Sequence, residues 1–152
     1  MQKITPFLWF DTQLEEAANL YVSLFPNSKI LSMDKMPDGK IMTGSFVLNG
    51  LEFKGMNAGP MFKFTEAISI FVDCEDQAEV DKYWNALIAD GGEESQCGWL
   101  KDKFGLSWQI IPKQLSQLMS DSNPAKAQAT MQCMMGQKKI IVEELQKAHD
   151  AA

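Results

Sequence analysis

The sequence predicts an α+β fold in which one β-α-β-β-β module occurs twice. Residues 8–11 (LWFD) and 70–73 (IFVD) each end an apolar strand that runs into a helix. Residues 50–53 (GLEF) and 105–108 (GLSW) repeat a second pattern in the same order along the chain. Repetition of one supersecondary unit indicates two copies that bury their apolar faces together. We therefore expect paired modules that form a cupped mixed sheet, with further helices appended after them.

The first module follows from apolar periodicity and turn residues. Apolar residues at helical spacing come after a Thr12–Glu15 capping box, which predicts the start of a helix. Asn49-Gly50 is the strongest two-residue hairpin signal in the chain, so the strands on either side should pair antiparallel. The predicted elements are a strand at residues 4–10, the helix, and strands at residues 28–36, 41–48 and 51–56.

The second module repeats this order with a shorter central hairpin. Asp76 and Glu79 form another capping box, and Gly91-Gly92 should end the helix that follows. The strands of this module are predicted at residues 67–72, 93–96, 97–100 and 106–111. The predicted organisation is a first module at residues 1–57, a linker at 58–66, a second module at 67–112 and a helical extension at 113–152. We expect all four parts to form one compact domain.

The extension at residues 113–152 has no counterpart between the two modules. Asn123 before Pro124 marks the start of a helix, and Gly136 marks a break. The residues expected on one face of the final helix are Ile140, Ile141, Leu145 and Ala148. These helices are predicted to pack on a module or on a partner subunit.

Composition argues against several classes of partner. The chain of 152 residues has 14 basic and 20 acidic residues, a net charge of −6 and a pI near 4.8. Nucleic-acid binding needs a clustered basic surface, which this sequence lacks. No apolar run has the length of a membrane span, and the N-terminal segment does not have the pattern of a secretion signal. Cys74, Cys97 and Cys133 are odd in number and have no C-x-x-C spacing, which indicates reduced thiols and a cytoplasmic location.

Three blocks of sequence resemble one known family. They are residues 6–21 (PFLWFDTQLEEAANLY), residues 76–87 (DQAEVDKYWNAL) and residues 97–112 (CGWLKDKFGLSWQIIP). Together they resemble the PhnB-like proteins, also called the 3-demethylubiquinone-9 3-methyltransferase-like family. That family belongs to the vicinal oxygen chelate superfamily, alongside glyoxalase I, extradiol dioxygenases and bleomycin-resistance proteins. The resemblance implies paired β-α-β-β-β modules completed by dimerisation, in agreement with the modules read from the residues.

The superfamily resemblance also implies one divalent metal ion held by His and Glu side chains on module strands. This chain has a single histidine, His149, and it lies in the C-terminal extension. Among the predicted strands that would face the site, only the one at residues 51–56 offers a carboxylate, from Glu52. Gln109 stands where an enzyme of the superfamily is expected to have Glu, and Lys54 is its counterpart in the first module. Because an amide is a weak ligand and a lysine repels a cation, we predict no metal site and no cofactor.

Methyl transfer is the activity that the family name implies. The usual nucleotide fold for S-adenosylmethionine needs a glycine-rich turn between the first strand and its helix. In this sequence no glycine precedes Pro26. The residues therefore give that activity no physical support, although methyltransferases with other folds exist.

Aromatic and polar residues on the predicted strands are candidates for a ligand pocket. A cupped sheet would turn Trp9 and Trp108 toward its concave side, and ordinary packing against helices is the alternative for each ring. Gln109 should point to the opposite face from Trp108 because side chains alternate along a strand. Cys97 is either a nucleophile or an inert core thiol. Asp102 should cap a turn through an Asx hydrogen bond rather than act as an acid. The ligand-binding candidates are Trp9, Ser69, Cys97, Trp99, Trp108 and Gln109, and no catalytic residue is assigned.

Three functional hypotheses follow from these observations. The first is a metal-free, cytoplasmic protein that binds a small-molecule ligand as a homodimer. The second is an enzyme, either a methyltransferase as the family name implies or a lyase or isomerase. The third is an interaction or regulatory module whose C-terminal helices dock a partner. The sequence does not identify the ligand.

Overall fold

The β-α-β-β-β order occurs twice in the structure, a computed structural model that describes residues 2–152. The chain divides into two compact units, of which the first ends at Phe64 and the second begins at Thr65. Each unit contains one four-stranded mixed sheet. The predicted α+β fold class with a doubled module is confirmed.

The first unit consists of a four-stranded sheet with one helix packed on it. Its elements are β1 Phe7–Phe10, α1 Leu14–Leu24, β2 Lys29–Lys35, β3 Ile41–Leu48 and β4 Leu51–Asn57. The spatial order is β1-β4-β3-β2, with β1 parallel to β4 and the other pairs antiparallel. Asn49 and Gly50 have φ angles of 47° and 85°, the positive pair that a two-residue type I′ hairpin needs. The hairpin predicted from these two residues is confirmed.

The start of α1 differs from the prediction. Gln13 occupies the N-cap position, and its side chain makes no capping hydrogen bond. Asn57, at the end of β4, accepts a hydrogen bond from the Leu14 N–H through Oδ1 at 2.9 Å. The predicted Thr12–Glu15 capping box is therefore wrong, because a side chain distant in sequence takes its role.

The segment that follows β4 packs on the first unit. The ring of Phe62 meets Trp9 edge-on with centroids 4.9 Å apart, and Phe64 meets Phe10 in the same way at 5.3 Å. Edge-to-face pairs at this spacing are favourable beyond the area that they bury. The aromatic residues of the predicted 58–66 linker thus contribute to the packing of the first unit.

The second unit repeats the topology of the first. Its sheet elements are β5 Ser69–Cys74, α2 Gln77–Ile88, β6 Glu93–Glu94, β7 Trp99–Lys101 and β8 Ser107–Pro112. The spatial order is β5-β8-β7-β6, with β5 parallel to β8. Asp76 caps α2 by accepting a hydrogen bond from the Glu79 N–H at 2.9 Å, as predicted. The matching strand order supports the duplication inferred from the sequence.

The central hairpin of the second unit is shorter than predicted. Strand β6 has two residues and β7 has three. Between them Cys97 and Gly98 have positive φ angles of 59° and 83° and so leave the extended conformation. Their N–H groups donate to the carbonyl oxygens of Gln137 and Lys138, each at 2.8 Å. The prediction of strands at 93–96 and 97–100 is corrected accordingly, since this backbone bonds to a C-terminal segment instead.

A buried aspartate fixes the turn between β7 and β8. Asp102 is 2% exposed, and its Oδ1 accepts hydrogen bonds from the N–H groups of Phe104 at 2.9 Å and Leu106 at 3.0 Å. Its Oδ2 accepts a hydrogen bond from the indole Nε1 of Trp108 at 2.9 Å. The predicted turn-capping role of Asp102 is confirmed, and the indole is a further partner.

Three helices follow the second sheet and pack on the second unit. They are α3 Lys113–Met119, α4 Pro124–Met135 and α5 Val142–Asp150. Asn123 caps α4 through a hydrogen bond from the Ala125 N–H at 3.0 Å, as predicted. Ile140 and Leu145 are fully buried in one cluster with Ile111 of β8. Full burial of each such side chain contributes on the order of 1.5–3 kcal/mol, so the extension is part of the core of this unit.

The predicted face of the final helix is wrong at two positions. Ile140 and Ile141 precede α5, which begins at Val142. The side chain of Gln77 holds this approach to the helix by donating to the Ile140 carbonyl at 2.9 Å and accepting from the Val142 N–H at 2.8 Å. A side chain of α2 therefore sets where α5 begins.

Candidate functional site

A cavity of about 550 Å³ lies in the second unit, between its sheet and the helices α3 and α4. The sheet side is formed by Phe71 of β5, Trp99 of β7, Gln109 and Ile111 of β8, and Cys97 before β7. The helical side is formed by Leu115, Ser116, Met119 and Ser120 of α3 and its C-cap, and by Met134 of α4. The cavity is therefore mainly apolar, with few polar side chains in its wall.

An aromatic–amide–aromatic row crosses the sheet at the cavity. Gln109 is paired across the strands with Phe71 on one side and with Trp99 on the other. All three side chains line the cavity and so project from the same face of the sheet. Neighbouring strands lie about 4.8 Å apart, which places one ring on each side of the amide.

The alternation of side chains along β8 separates Gln109 from Trp108. Gln109 and Ile111 face the cavity, while Trp108 is 1% exposed and is bonded to Asp102. The expectation that Trp108 faces a pocket is corrected, since the structure places this ring in the core. The inference that the two residues occupy opposite faces agrees with this arrangement.

The Gln109 amide is the main hydrogen-bonding group of the wall. Its Nε2 donates to Ser69 Oγ at 2.9 Å, and its Oε1 has no hydrogen-bond partner among residues 2–152. The hydroxyl groups of Ser116 and Ser120 donate instead to backbone carbonyls of their own helix, at 3.1 and 3.0 Å. The amide oxygen and its second N–H thus remain available inside the cavity.

The cysteines do not form an activated nucleophile with the histidine. Cys97 lines the cavity as a free thiol. His149 is engaged with Asp121 at 2.8 Å and with Asp150 at 3.2 Å, in hydrogen bonds between side chains of the extension. Cys74 is buried at the end of β5, and burial raises its pKa to about 12. A thiol in this state is not ionised at neutral pH and is inert.

The sequence-predicted site residues fall into three groups. Cys97, Trp99 and Gln109 line the cavity together, and Ser69 joins them through its hydrogen bond to Gln109. Trp108 lies in the core. Trp9 lies in the first unit, where its Nε1 donates to a backbone carbonyl, that of Gly59, at 2.9 Å.

Sequence reasoning missed most of the cavity wall. Phe71 could have been found from its place opposite Gln109 in a parallel strand pair. Met119 and Met134 gave no separate signal, because a methionine on a helix is typical of ordinary packing. Their role in the wall depends on how the extension folds back on the sheet.

A second recess, of about 710 Å³, lies in the first unit beside the β2–β3 hairpin. Its wall includes exposed side chains of both charges, such as Asp11, Glu15, Lys35 and Lys40. Charged side chains at such exposed positions are already solvated by water. The cavity of the second unit is therefore the better candidate despite its smaller volume.

The donor groups present do not fit a divalent metal ion. In residues 2–152 no three His, Cys, Asp or Glu side chains are grouped so that they could hold one. The cavity itself offers an amide, a thiol and two hydroxyls that donate within their own helix. Divalent metal sites in proteins use several imidazoles or carboxylates, and this wall contains neither.

None of the helices in residues 2–152 combines the length and the apolar character that a membrane span requires.

Comparisons with known proteins place the chain in a family. A sequence model of 3-demethylubiquinone-9 3-methyltransferase matches residues 2–111. A putative 3-demethylubiquinone-9 3-methyltransferase, the PhnB protein from Bacillus cereus, is 36% identical with a TM-score of 0.69, over 73% of this chain and 99% of that chain. No curated protein shows a significant match.

More distant structures share the fold. A protein from Pseudomonas aeruginosa is 20% identical with a TM-score of 0.62, over 74% of this chain and 98% of that chain. The fosfomycin resistance protein FosX from Listeria monocytogenes, solved with Mn(II) and sulfate, is 16% identical with a TM-score of 0.53, over 71% and 89% of the two chains. These two similarities concern the fold alone.

The matched region stops where the helical extension begins. The family match ends at residue 111, and α3 starts at Lys113. The match to the Bacillus cereus protein includes 99% of that protein but only 73% of this chain. The unmatched part of this chain therefore has no counterpart in that protein. The chain belongs to the 3-demethylubiquinone-9 3-methyltransferase (PhnB-like) family.

Proposed function

We propose that this protein binds a small-molecule ligand in the cavity of the second unit and does so without a metal ion. The observation that carries this proposal is the wall itself, in which aromatic and aliphatic side chains surround one available amide. Small-molecule sites in proteins have this composition, and their volumes are roughly 300–1,000 Å³. The cavity volume of about 550 Å³ lies within that range.

The Mn(II) bound to FosX does not carry over to this chain. Gln109 and Ser69 bond to each other in the cavity wall, and no carboxylate or imidazole is available beside them. An isolated amide oxygen does not hold a divalent ion against competition from water. Elemental analysis of the purified protein tests this part of the proposal, and stoichiometric metal would contradict it.

Methyl transfer, which the family name implies, is the alternative activity. The connection between β1 and α1 contains Asp11, Thr12 and Gln13 and no glycine. A nucleotide cofactor bound at a strand-to-helix turn needs glycine there for close approach of the backbone. A clear rise in melting temperature with S-adenosylmethionine would favour this alternative over simple binding.

The C-terminal helices are better explained as a wall of the site than as a docking module. Ile140 and Leu145 have no exposed surface, so these side chains are not available to a partner. We propose that the protein acts as a homodimer, as the superfamily resemblance implies. The three free cysteines, Cys74, Cys97 and Cys133, fit a reducing compartment such as the cytoplasm.

A cavity-filling variant tests the proposed site. Ser116 lines the cavity from α3, whereas its neighbour Gln117 is exposed and does not. Wild type, Ser116→Trp and the matched control Gln117→Trp are dialysed against a metabolite extract, and the retained compounds are identified by native mass spectrometry. We expect wild type and Gln117→Trp to retain the same compound and Ser116→Trp to lose it. Equal retention by Ser116→Trp would rule out this cavity, and no retention by wild type would contradict the binding function.

A further inference from the structure

The cavity of the second unit favours an uncharged ligand. None of the described side chains that line it is Asp, Glu, Lys, Arg or His. Two lysines close in sequence to the wall are engaged elsewhere, since Lys101 pairs with Glu66 and Lys113 pairs with Glu75. A charged ligand would lose part of its hydration against this apolar wall without meeting a counter-charge, which is unfavourable.

The row across the sheet favours a flat aromatic ligand. Phe71 and Trp99 flank Gln109 on neighbouring strands, so a planar ring laid over the row contacts both aromatic side chains. Ring contacts of this kind are favourable beyond the area they bury. The opposite wall contributes the thioethers of Met119 and Met134, which adapt their shape and make favourable contacts with aromatic rings.

The amide of Gln109 favours a ligand group with both a donor and an acceptor. Its Oε1 has no partner among residues 2–152, and one of its two N–H groups is used by Ser69. The remaining N–H and the Oε1 form a donor and an acceptor in one plane. A carboxamide or lactam on the ligand presents the complementary pair.

On the basis of the proposed function, we infer the class of ligand that this cavity takes. It is an uncharged, planar aromatic compound with a carboxamide-like group bound to Gln109. The Phe71 and Trp99 rings contact its aromatic part, and α3 and α4 cover it. This specificity comes in part from the extension, which lies beyond the family match at residues 2–111.

Matched probes of one ring system test the inference. 2-Naphthamide, 2-naphthoate and 2-naphthylmethylammonium share a ring and differ in charge, and 2-acetylnaphthalene has the acceptor without the donor. Affinities for the wild-type protein are measured by isothermal titration calorimetry near neutral pH. We expect 2-naphthamide to bind at least about tenfold more tightly than either charged probe, because only the charged probes lose hydration without compensation.

Variants of Gln109 test its role directly. Gln109→Met keeps the size and removes the polar pair, so 2-naphthamide should lose its advantage over 2-acetylnaphthalene. Gln109→Glu places a carboxylate in the wall and should shift the preference toward 2-naphthylmethylammonium. The control is Gln117→Ala, since Gln117 is exposed on α3 and lies outside the cavity wall. Circular dichroism establishes that each variant is folded, and a misfolded Met variant leaves the Glu variant as the test.

The outcomes separate this inference from the proposed function. Equal or tighter binding of a charged probe to wild type overturns the ligand class while small-molecule binding stands. Binding of 2-naphthamide that neither Gln109 variant changes overturns the assignment of the amide. Failure of all four probes to bind overturns the ligand class, and the function then stands or falls with the metabolite dialysis.

Discussion

Replacement of Asp102 by alanine should lower the free energy of unfolding of the second unit by about 4 kcal/mol. The carboxylate accepts three hydrogen bonds, from the N–H groups of Phe104 and Leu106 and from the indole of Trp108. Each hydrogen bond to a charged acceptor contributes about 1.5 kcal/mol or more. Both Asp102 and Trp108 are nearly inaccessible, so water cannot replace the lost acceptor. Urea unfolding followed by far-UV circular dichroism measures the change.

A conservative variant and a double mutant isolate the indole contact. Asp102→Asn keeps an acceptor for the two backbone N–H groups but turns an amide donor toward the Trp108 N–H, so we expect a loss of about 2 kcal/mol. In the double mutant Asp102→Asn/Trp108→Phe the two donors no longer oppose each other, and the coupling energy should be at least about 1 kcal/mol. A cost below about 1 kcal/mol for Asp102→Ala, or a cycle without coupling, would refute this account of the turn.

Three further predictions concern other parts of the chain. Gly98→Ala should lower the free energy of unfolding by about 1–3 kcal/mol more than Gly39→Ala does. Both glycines have positive φ, so the backbone strain of an alanine is shared. At Gly98 the added Cβ would lie 2.6 Å from Ile111 Cδ1, whereas at Gly39 it would meet no atom within 4 Å. Equal losses in urea unfolding would contradict this. Burial raises the pKa of Cys74 to about 12, so the thiol of the folded protein stays protonated at moderately alkaline pH. The thiol of the unfolded chain ionises with a pKa of about 8.5. The free energy of unfolding should therefore fall as pH rises above that value, by up to about 1.4 kcal/mol per pH unit, and Cys74→Ala should reduce this slope in urea titrations between about pH 8 and about pH 10. Truncation after Pro112 should give aggregated protein in size-exclusion chromatography, because it removes the helices that cover Ile111. A folded, soluble product that has lost a pull-down partner would instead support an interaction module.

Local signals in the sequence predicted much of the fold. The Asn49-Gly50 hairpin, the Asp76 cap and the Asp102 turn each depend on residues close together in the chain, and all three are present in the structure. The doubled module was also predictable, because both copies repeat the same pattern of apolar residues and turns. The fold class follows from these local rules together with the repeat.

Features that depend on distant residues were not predictable. The cap of α1 comes from Asn57 on β4, and the shortened hairpin comes from bonds between the 97–98 backbone and the carbonyls at 137 and 138. No spacing rule connects such positions. The local preference for an N-cap at Thr12 does not decide where α1 begins, because the tertiary hydrogen bond from Leu14 to Asn57 outweighs it.

The candidate site was predictable in part. Alternation along the last strand separated Gln109 from Trp108, and the structure shows which of the two faces the cavity. The wall supplied by Met119 and Met134 could not be predicted, because nothing in a helical pattern of methionines distinguishes a cavity wall from core packing.

The two walls of the cavity are made at different times during synthesis. β5, β7 and β8 leave the ribosome before α3 and α4, and domains generally begin to fold as they emerge. At that stage the row of Phe71, Gln109 and Trp99 is an uncovered sheet face. The N–H groups of Cys97 and Gly98 have no acceptor from the extension until residues 137 and 138 have been synthesised. A chain that ends with the family-matched part, at residue 111, has one wall only. The helical wall of the cavity is therefore added after the strands of both modules have been synthesised.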